Sequence, residues 1–281
     1  MRILFLGDVI GRPGRSAVIA ELPRLRRELC LDFAIVNGEN AAHGFGITAG
    51  ICQDLYDAGV DVITTGNHVW AQQEIIATIG RDERLLRPLN YPDGTPGRGV
   101  GVYRTALGAG VLVVNVMGRV FMDPLDDPFA GVEAALAGHE LGADVAAVVI
   151  DVHAEATSEK MAIGHAFDGR ASLIVGSHSH VPTADAQILP GGTAFQCDAG
   201  MCGDYDSVIG MKKHTAVARL RRKLPGERFS PAEGPVSICG VFVETEDATG
   251  LARQVAPLVV GGRLTPRWPL EDTMPQGIAA D

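Results

Sequence analysis

Short apolar runs alternate along the chain with stretches whose apolar residues recur three and four apart. The runs at 3–6, 33–36, 62–65, 111–116, 145–150, 173–175 and around Phe195 predict strands. The stretches at 15–29, 47–58 and 70–80 predict helices. In the first of these, Val18, Ile19, Leu22 and Leu25 fall on one side, and Thr48 stands where the second would be capped. Strands alternating with helices predict a mostly parallel sheet covered on both faces.

The last third is patterned differently. Residues 215–220 and 236–243 are strand-like, with the loop-like GERFSPAEGP (226–235) between them, so a more antiparallel portion is expected. From Gly261 onward, Pro266, Pro269 and Pro275 break any periodicity. A single domain over 1–263 is expected, followed by a tail over 264–281 that lies on the surface or is flexible.

The polar residues collect where apolar runs stop. Asp8 follows RILFLG, and Asn37, Glu39 and Asn40 follow FAIV. Asn67 and His68 follow DVITTG, Asp151 and His153 follow AAVVI, and His178 and His180 follow ASLIVG. In an open α/β sheet, ligands bind beyond the carboxyl ends of the strands, so parallel strands would bring these side chains to one edge. Carboxylate, imidazole and amide oxygen without thiolate suit hard or borderline divalent ions. His178 and His180, one residue apart on an extended segment, share a side. Glu39 is the candidate to bridge two ions, an arrangement that clamps both oxygens of an in-line displacement and acidifies water. Each residue alone has a simpler use: Asp8 as a turn former, Asn37 and Asn40 in Asx turns. The conjunction at five strand ends carries the assignment.

Composition narrows the classes. Hydrophobic residues are 46% and charged residues 21%, a folded composition. With 24 Lys plus Arg against 34 Asp plus Glu, the net charge is -10, and nucleic acid is not an expected partner. RLRRE (24–28) and RLRRK (219–223) read as solvated faces. No apolar segment approaches the ~20 residues of a membrane span. Five cysteines without a CxxC pair read as small buried residues of a reducing compartment, so a cytoplasmic location is expected.

Three loops add candidates. GRPGR (11–15) is not a Walker motif, and although Arg12 or Arg15 could meet a phosphate, a flexible strand–helix connection with solvated arginines is the simpler reading. AHGFGIT (42–48) offers His43 and Phe45 as substrate contacts, Phe45 by stacking on a base, or serves as a helix lead-in. In HAEATSEK (153–160), Glu155 could orient a ligand histidine, and 157–159 read as a helix cap. RVFM (119–122) reads as lid or interface, and GMCGDYDSVIGM (200–211) as a surface turn. His139, His165 and His214 belong to no constellation.

GD (7–8), GNH (66–68), His153 and GSHSH (176–180) resemble, in this order, the motifs of calcineurin-like metallophosphoesterases. MRILFLGDVIGRPGR, VNGENAAHGFGIT, TTGNHVW and DVHAEATSEK resemble more closely the YmdB-like branch, over nearly the full length. The resemblance implies an α/β calcineurin-like metallophosphoesterase fold, with layered β-sheets flanked by helices. It implies two divalent ions, iron or manganese, and a homo-oligomer. The implied activity is phosphodiester hydrolysis, with 2′,3′-cyclic nucleotides as substrates and a metal-bridging hydroxide as nucleophile. The implied ligands are Asp8, Glu39, Asn40 and His180 for one ion, and Glu39, Asn67, His153 and His178 for the other. His68 would contact the phosphate and protonate the leaving oxygen. The same ions would also serve a phosphomonoesterase or protein phosphatase, and a non-catalytic nucleotide sensor is the third alternative. Three departures from the broad superfamily stand out. Asp8-Val9-Ile10 lacks the usual histidine two residues after the aspartate, and Glu39 replaces an aspartate. Val69 follows GNH where an acidic residue is usual, which leaves the partner of His68 open.

Overall fold

The computed structural model describes residues 1–223 and 226–270. The chain begins with β1 (Arg2–Leu6), β2 (Asp8–Val9), α1 (Gly11–Glu28), β3 (Phe33–Asn37), α2 (Ala49–Asp57), β4 (Val62–Thr64) and α3 (Glu74–Thr78). The middle holds β5 (Val100–Arg104), β6 (Gly110–Met117), α4 (Pro128–Leu136), β7 (Ala147–His153), α5 (Thr157–Ala166) and β8 (Leu173–Ser177). Then come β9 (Gln187–Ile188), β10 (Ala194–Gln196), β11 (Met201–Asp204), α6 (Lys213–Arg222), β12 (Val236–Thr245) and β13 (Ala252–Val260).

The apolar runs form two sheets, not one sheet covered by helices on both faces. The first runs β2-β11-β12-β1-β3-β4, with β13 beside β12; the second runs β5-β6-β7-β8-β10-β9. β1, β3 and β4 are parallel, as are β6, β7, β8 and β10. The strand β1 shows why the layers form. Ile3 and Phe5 face the second sheet and pack with Val113, Val149 and Val175. Leu4 and Leu6 face the opposite way and pack with Val18 and Leu22 of α1. On the far side, Ile150 and Val152 pack under Val132 of α4 and Ile163 of α5. The order is helices, sheet, sheet, helices. Strands buried on both faces carry no polar alternation, so their pattern cannot distinguish one sheet from two.

The helices largely follow the pattern. α1 starts at Gly11, earlier than the spacing predicts, because Pro13 in the first turn forfeits an N–H that has no intrahelical partner there. Thr48 caps α2, its Oγ1 accepting from the Ile51 amide at 3.3 Å. The antiparallel portion is present: β12 pairs antiparallel with both β1 and β13.

Two expectations are corrected. Residues 215–220 lie in the helix α6; Ala, Arg, Leu and Lys favour helix, and only Ala216 of this helix is buried. Residues 200–211 are not a surface turn. They supply β11, which pairs with β2 and β12, and then a wall of the cavity described below. Within the tail, Arg267 exchanges backbone hydrogen bonds with Val259, and Trp268 packs into the α1 core. The rest of the predicted tail, 271–281, lies outside the described residues. Among the described residues no helix is long and apolar enough to cross a membrane.

Candidate metal centre

The strands of both sheets end at one seam. Asp8 opens β2, Glu39 and Asn40 follow β3, Asn67 and His68 follow β4, and His153 closes β7. His178 and His180 lie just past β8. Ligand atoms of Asp8, Glu39 and His180 lie within 4.8 Å of one another, and so do those of Glu39, His153 and His178. Glu39 is common to both groups. His153 Nε2 is 3.0 Å from Asn67 Oδ1, 3.1 Å from His178 Nδ1 and 3.3 Å from Glu39 Oε2. On the other side, His180 Nε2 is 3.2 Å from the Asn40 amide and 3.7 Å from Asp8 Oδ1. Asn40 Nδ2 donates to Glu39 Oε1 at 3.1 Å, and a 180° rotation of the amide presents Oδ1 at the same place. All seven ligands implied by the resemblance are brought together.

The donor set fits two cations. Among the described residues Asp8 Oδ1 is buried without a hydrogen-bond partner, a costly condition for a carboxylate oxygen unless a cation meets it. The outer nitrogens of the three imidazoles are each engaged. His153 Nδ1 lies 2.9 Å from Ser177 Oγ, which donates to Asp151 Oδ1 at 2.7 Å, so the serine accepts from the ring. His180 Nδ1 donates to the Ile209 carbonyl at 2.9 Å, and His178 Nε2 sits 3.1 Å from Glu155. These partners leave His153 Nε2, His180 Nε2 and His178 Nδ1 as lone pairs aimed inward, the tautomers a divalent ion requires. Two ions would be held by Asp8, Glu39, Asn40 and His180, and by Glu39, Asn67, His153 and His178.

Protons compete for the same atoms. Burial alone would push His153 down, but Glu39 against its ring, with Asp8 and Asp151 nearby, raises it to about 9. Burial pushes Glu39 up, yet His153 and the His68 amide outweigh it and bring Glu39 down to about 2. Burial raises Asp8 to about 6, while burial and the charged His153 beside it press His178 down to about 3. An ion must therefore displace the His153 proton at any pH below about 9, and the Asp8 proton as well below about 6. Affinity for Mn²⁺ is expected to rise with pH between these values, and binding at pH 7 to release about one proton. Calorimetry in buffers of different ionisation enthalpy measures that release; no release and a flat affinity would contradict the arrangement.

The loop that carries His178 and His180 is strained. Their φ angles are +92° and +65°, left-handed for residues with a Cβ, at roughly 1–3 kcal/mol each. Two carboxylates hold it. Asp8 Oδ2 accepts from the His178 amide at 3.1 Å, and Asp198 Oδ2 accepts from the Ser179 amide at 3.0 Å. Asp198 is itself paired with Lys160 Nζ at 2.8 Å, both side chains 1% exposed. The motif glycines answer to crowding: a Cβ on Gly66 would run into the His153 ring, and one on Gly176 into the Cys197 carbonyl.

A cavity of about 390 Å³ opens onto the centre. His68, His178 and His180 line it together with Phe45, Met211 and Phe229. The His68 ring meets Phe45 edge-on at 5.0 Å, and burial lowers its pKa. Glu39 accepts from the His68 backbone amide at 3.1 Å, and among the described residues no carboxylate accepts from its ring. Phe45 is thus at the cavity. Arg12 and His43 are exposed and are not part of its lining. Arg15 donates to the Ala41 carbonyl at 2.8 Å, a structural role.

Sequence reasoning missed the supports. Asn37 does form the expected Asx contact, its Oδ1 accepting from the Glu39 amide at 3.2 Å. It also donates to Asp151 at 3.2 Å. Asp151, Ser177, Lys160 and Asp198 brace the ligands from behind, through partners 26 to 114 residues away that no local pattern announces. Glu159 is not a cap. Its carboxylate accepts from the amides of Arg119 and Val120 and so fixes the 119–122 turn.

The model of the family described as YmdB-like protein matches residues 4–258. A Bacillus subtilis (strain 168) protein named 2′,3′-cyclic-nucleotide 2′-phosphodiesterase is 46% identical over 260 residues, 92% of this chain and 97% of that protein. A crystal structure described as a novel phosphatase, from Mycoplasma pneumoniae, superimposes with a TM-score of 0.85 at 33% identity, covering 93% of each chain. The calcineurin-like phosphoesterase YfkN of Bacillus subtilis shares the fold, with a TM-score of 0.57 at 10% identity over 92% of this chain and 90% of that one.

Proposed function

The chain belongs to the YmdB-like family of calcineurin-like phosphoesterases, and on that premise we propose that it opens the cyclic phosphodiester of 2′,3′-cyclic nucleotides. The observation that carries this reading is the double ligand cluster shared through Glu39, opening onto a cavity that Phe45 and Phe229 also line. Bound divalent ions supply Lewis acidity toward the phosphoryl oxygens and activation of water. The chain supplies the rest. Phe45, Met211 and Phe229 offer apolar surface to the nucleoside. His68, in its protonated form, hydrogen-bonds to the phosphoryl group and hands a proton to the departing ribose oxygen. Water adds at phosphorus, one P–O ester bond breaks, and the product is a nucleoside phosphomonoester.

Nitrogen and oxygen donors without thiolate support iron or manganese as the ions. Five free cysteines support a cytoplasmic location. The family membership is the support for a homo-oligomer.

Two assays test the reading. The full chain, stripped of metal and reloaded with Mn²⁺ or Fe²⁺, is expected to hydrolyse bis-p-nitrophenyl phosphate well above p-nitrophenyl phosphate. Preference for the monoester would replace the diesterase reading with a monoesterase. His68→Ala is expected to lower kcat on a 2′,3′-cyclic nucleotide by roughly 10²–10⁴-fold. The loss should be smaller on the p-nitrophenyl diester, whose leaving group needs no proton. Equal losses on both would remove His68 from the acid role.

A further inference from the structure

We propose that this centre acts on the 3′ end of an RNA strand bearing a terminal 2′,3′-cyclic phosphate, with the strand running out across α6. The proposal rests on the phosphodiesterase reading and adds a substrate class to it. Residues 212–223, KKHTAVARLRRK, hold six of the chain's 24 lysines and arginines and no acidic residue. On a chain of net charge -10 such a segment stands out, and its place in the fold gives it meaning.

Ala216 and Leu220, one turn apart on α6, line the metal cavity together with Phe229. The basic helix is thus a wall of the cavity and continues outside it. Leu220 is 69% exposed. The Arg219 guanidinium lies 4.7 Å from the centre of the Phe229 ring. Paired cation and aromatic faces of this kind stack nucleobases in single-strand binding sites. Lys212 and Lys213 are paired with Glu233 and Asp206, but Arg219, Arg221, Arg222 and Lys223 form no ion pair among the described residues. Grooves of about 530 and 300 Å³ run along the helix, lined in part by these arginines.

A mononucleotide held in the cavity would leave this surface unused. A strand whose last nucleotide sits in the cavity would lay its preceding phosphates on the cations, while the acidic remainder of the protein repels it elsewhere. The bond changes are those of the mononucleotide reaction: water adds, one ring P–O bond breaks, and the strand ends in a phosphomonoester and a free ribose hydroxyl. Such ends arise from RNA cleavage in which the 2′-hydroxyl attacks the neighbouring phosphodiester.

The test compares kcat/KM of the Mn²⁺-loaded full chain on 2′,3′-cyclic AMP with that on an RNA of about six nucleotides ending in the cyclic phosphate. The RNA is expected to be preferred about tenfold or more near 50 mM KCl, and the preference to shrink toward about 300 mM. In the triple variant R221E/R222E/K223E the ratio of the two kcat/KM values should fall about tenfold, with the molar mass by light scattering unchanged. A ratio near one in the wild type, or a ratio indifferent to salt and to the variant, overturns the RNA proposal and leaves the cyclic-nucleotide reading standing. A changed mass with an intact ratio overturns it in favour of a second copy packed on α6. Failure on both substrates with metal bound sinks the phosphodiesterase reading and this proposal with it.

Discussion

Glu39→Ala is expected to lower kcat/KM on any phosphodiester by roughly a thousandfold or more. Glu39 is the carboxylate common to both ligand groups, and its two oxygens lie toward different partners. Losing it weakens both ion sites together. Bound ions are worth several kcal/mol of transition-state stabilisation, and about 1.4 kcal/mol is a factor of ten in rate. The substitution also leaves the His68 amide and the Asn40 side chain without their acceptor, which loosens two further members of the site. Glu39→Gln keeps the shape and removes the charge, so it separates these effects. Kinetics together with ions counted per chain by elemental analysis decide the matter. An alanine variant that retains two ions and turnover would show that Glu39 is not shared.

Lys160→Met is expected to cost about 3–5 kcal/mol of stability, because it strands the buried Asp198 carboxylate without its cation. The urea midpoint of the metal-free protein measures it. The loss should not stop at stability. Asp198 also receives the Ser179 amide, between the two left-handed histidines, so a displaced carboxylate relaxes the loop that aims them. Metal affinity is expected to fall about 10–100-fold, the usual effect of disturbing a group that orients ligands. An unchanged midpoint would mean that the pair contributes nothing net.

The reach of sequence reasoning follows from what is local. Asp8, Glu39, Asn67, His153 and His178 each end or follow an apolar run, and the topology of parallel strands turns that position into a place. The braces behind them are invisible for the opposite reason: Lys160 meets Asp198 and Ser177 meets Asp151 only after the sheets form. α6 misleads because TAVARL packs four apolar residues into a short run with too few turns to show a helical stripe, and almost none of it is buried. β13 escapes notice because Pro257 interrupts it; as an edge strand beside β12 it tolerates the missing N–H. The two-sheet layering, which the family resemblance implied, escapes the hydrophobic pattern because inner and outer faces of β1 are equally apolar.

One feature of the architecture reaches beyond the reaction. Asp8, Glu39, Asn40 and Asn67 come from the first sheet, and His153, His178 and His180 from the second. Ions held among them would tie the two layers together beside the apolar packing of Phe5 with Val113 and Val175. The firmness of that interface would then be set by the surrounding concentration of free metal as well as by the amino acids. An ion at a hundred times its dissociation constant adds about 2.7 kcal/mol to the folded state. Starvation for metal would reach this protein twice, once as idleness and once as fragility.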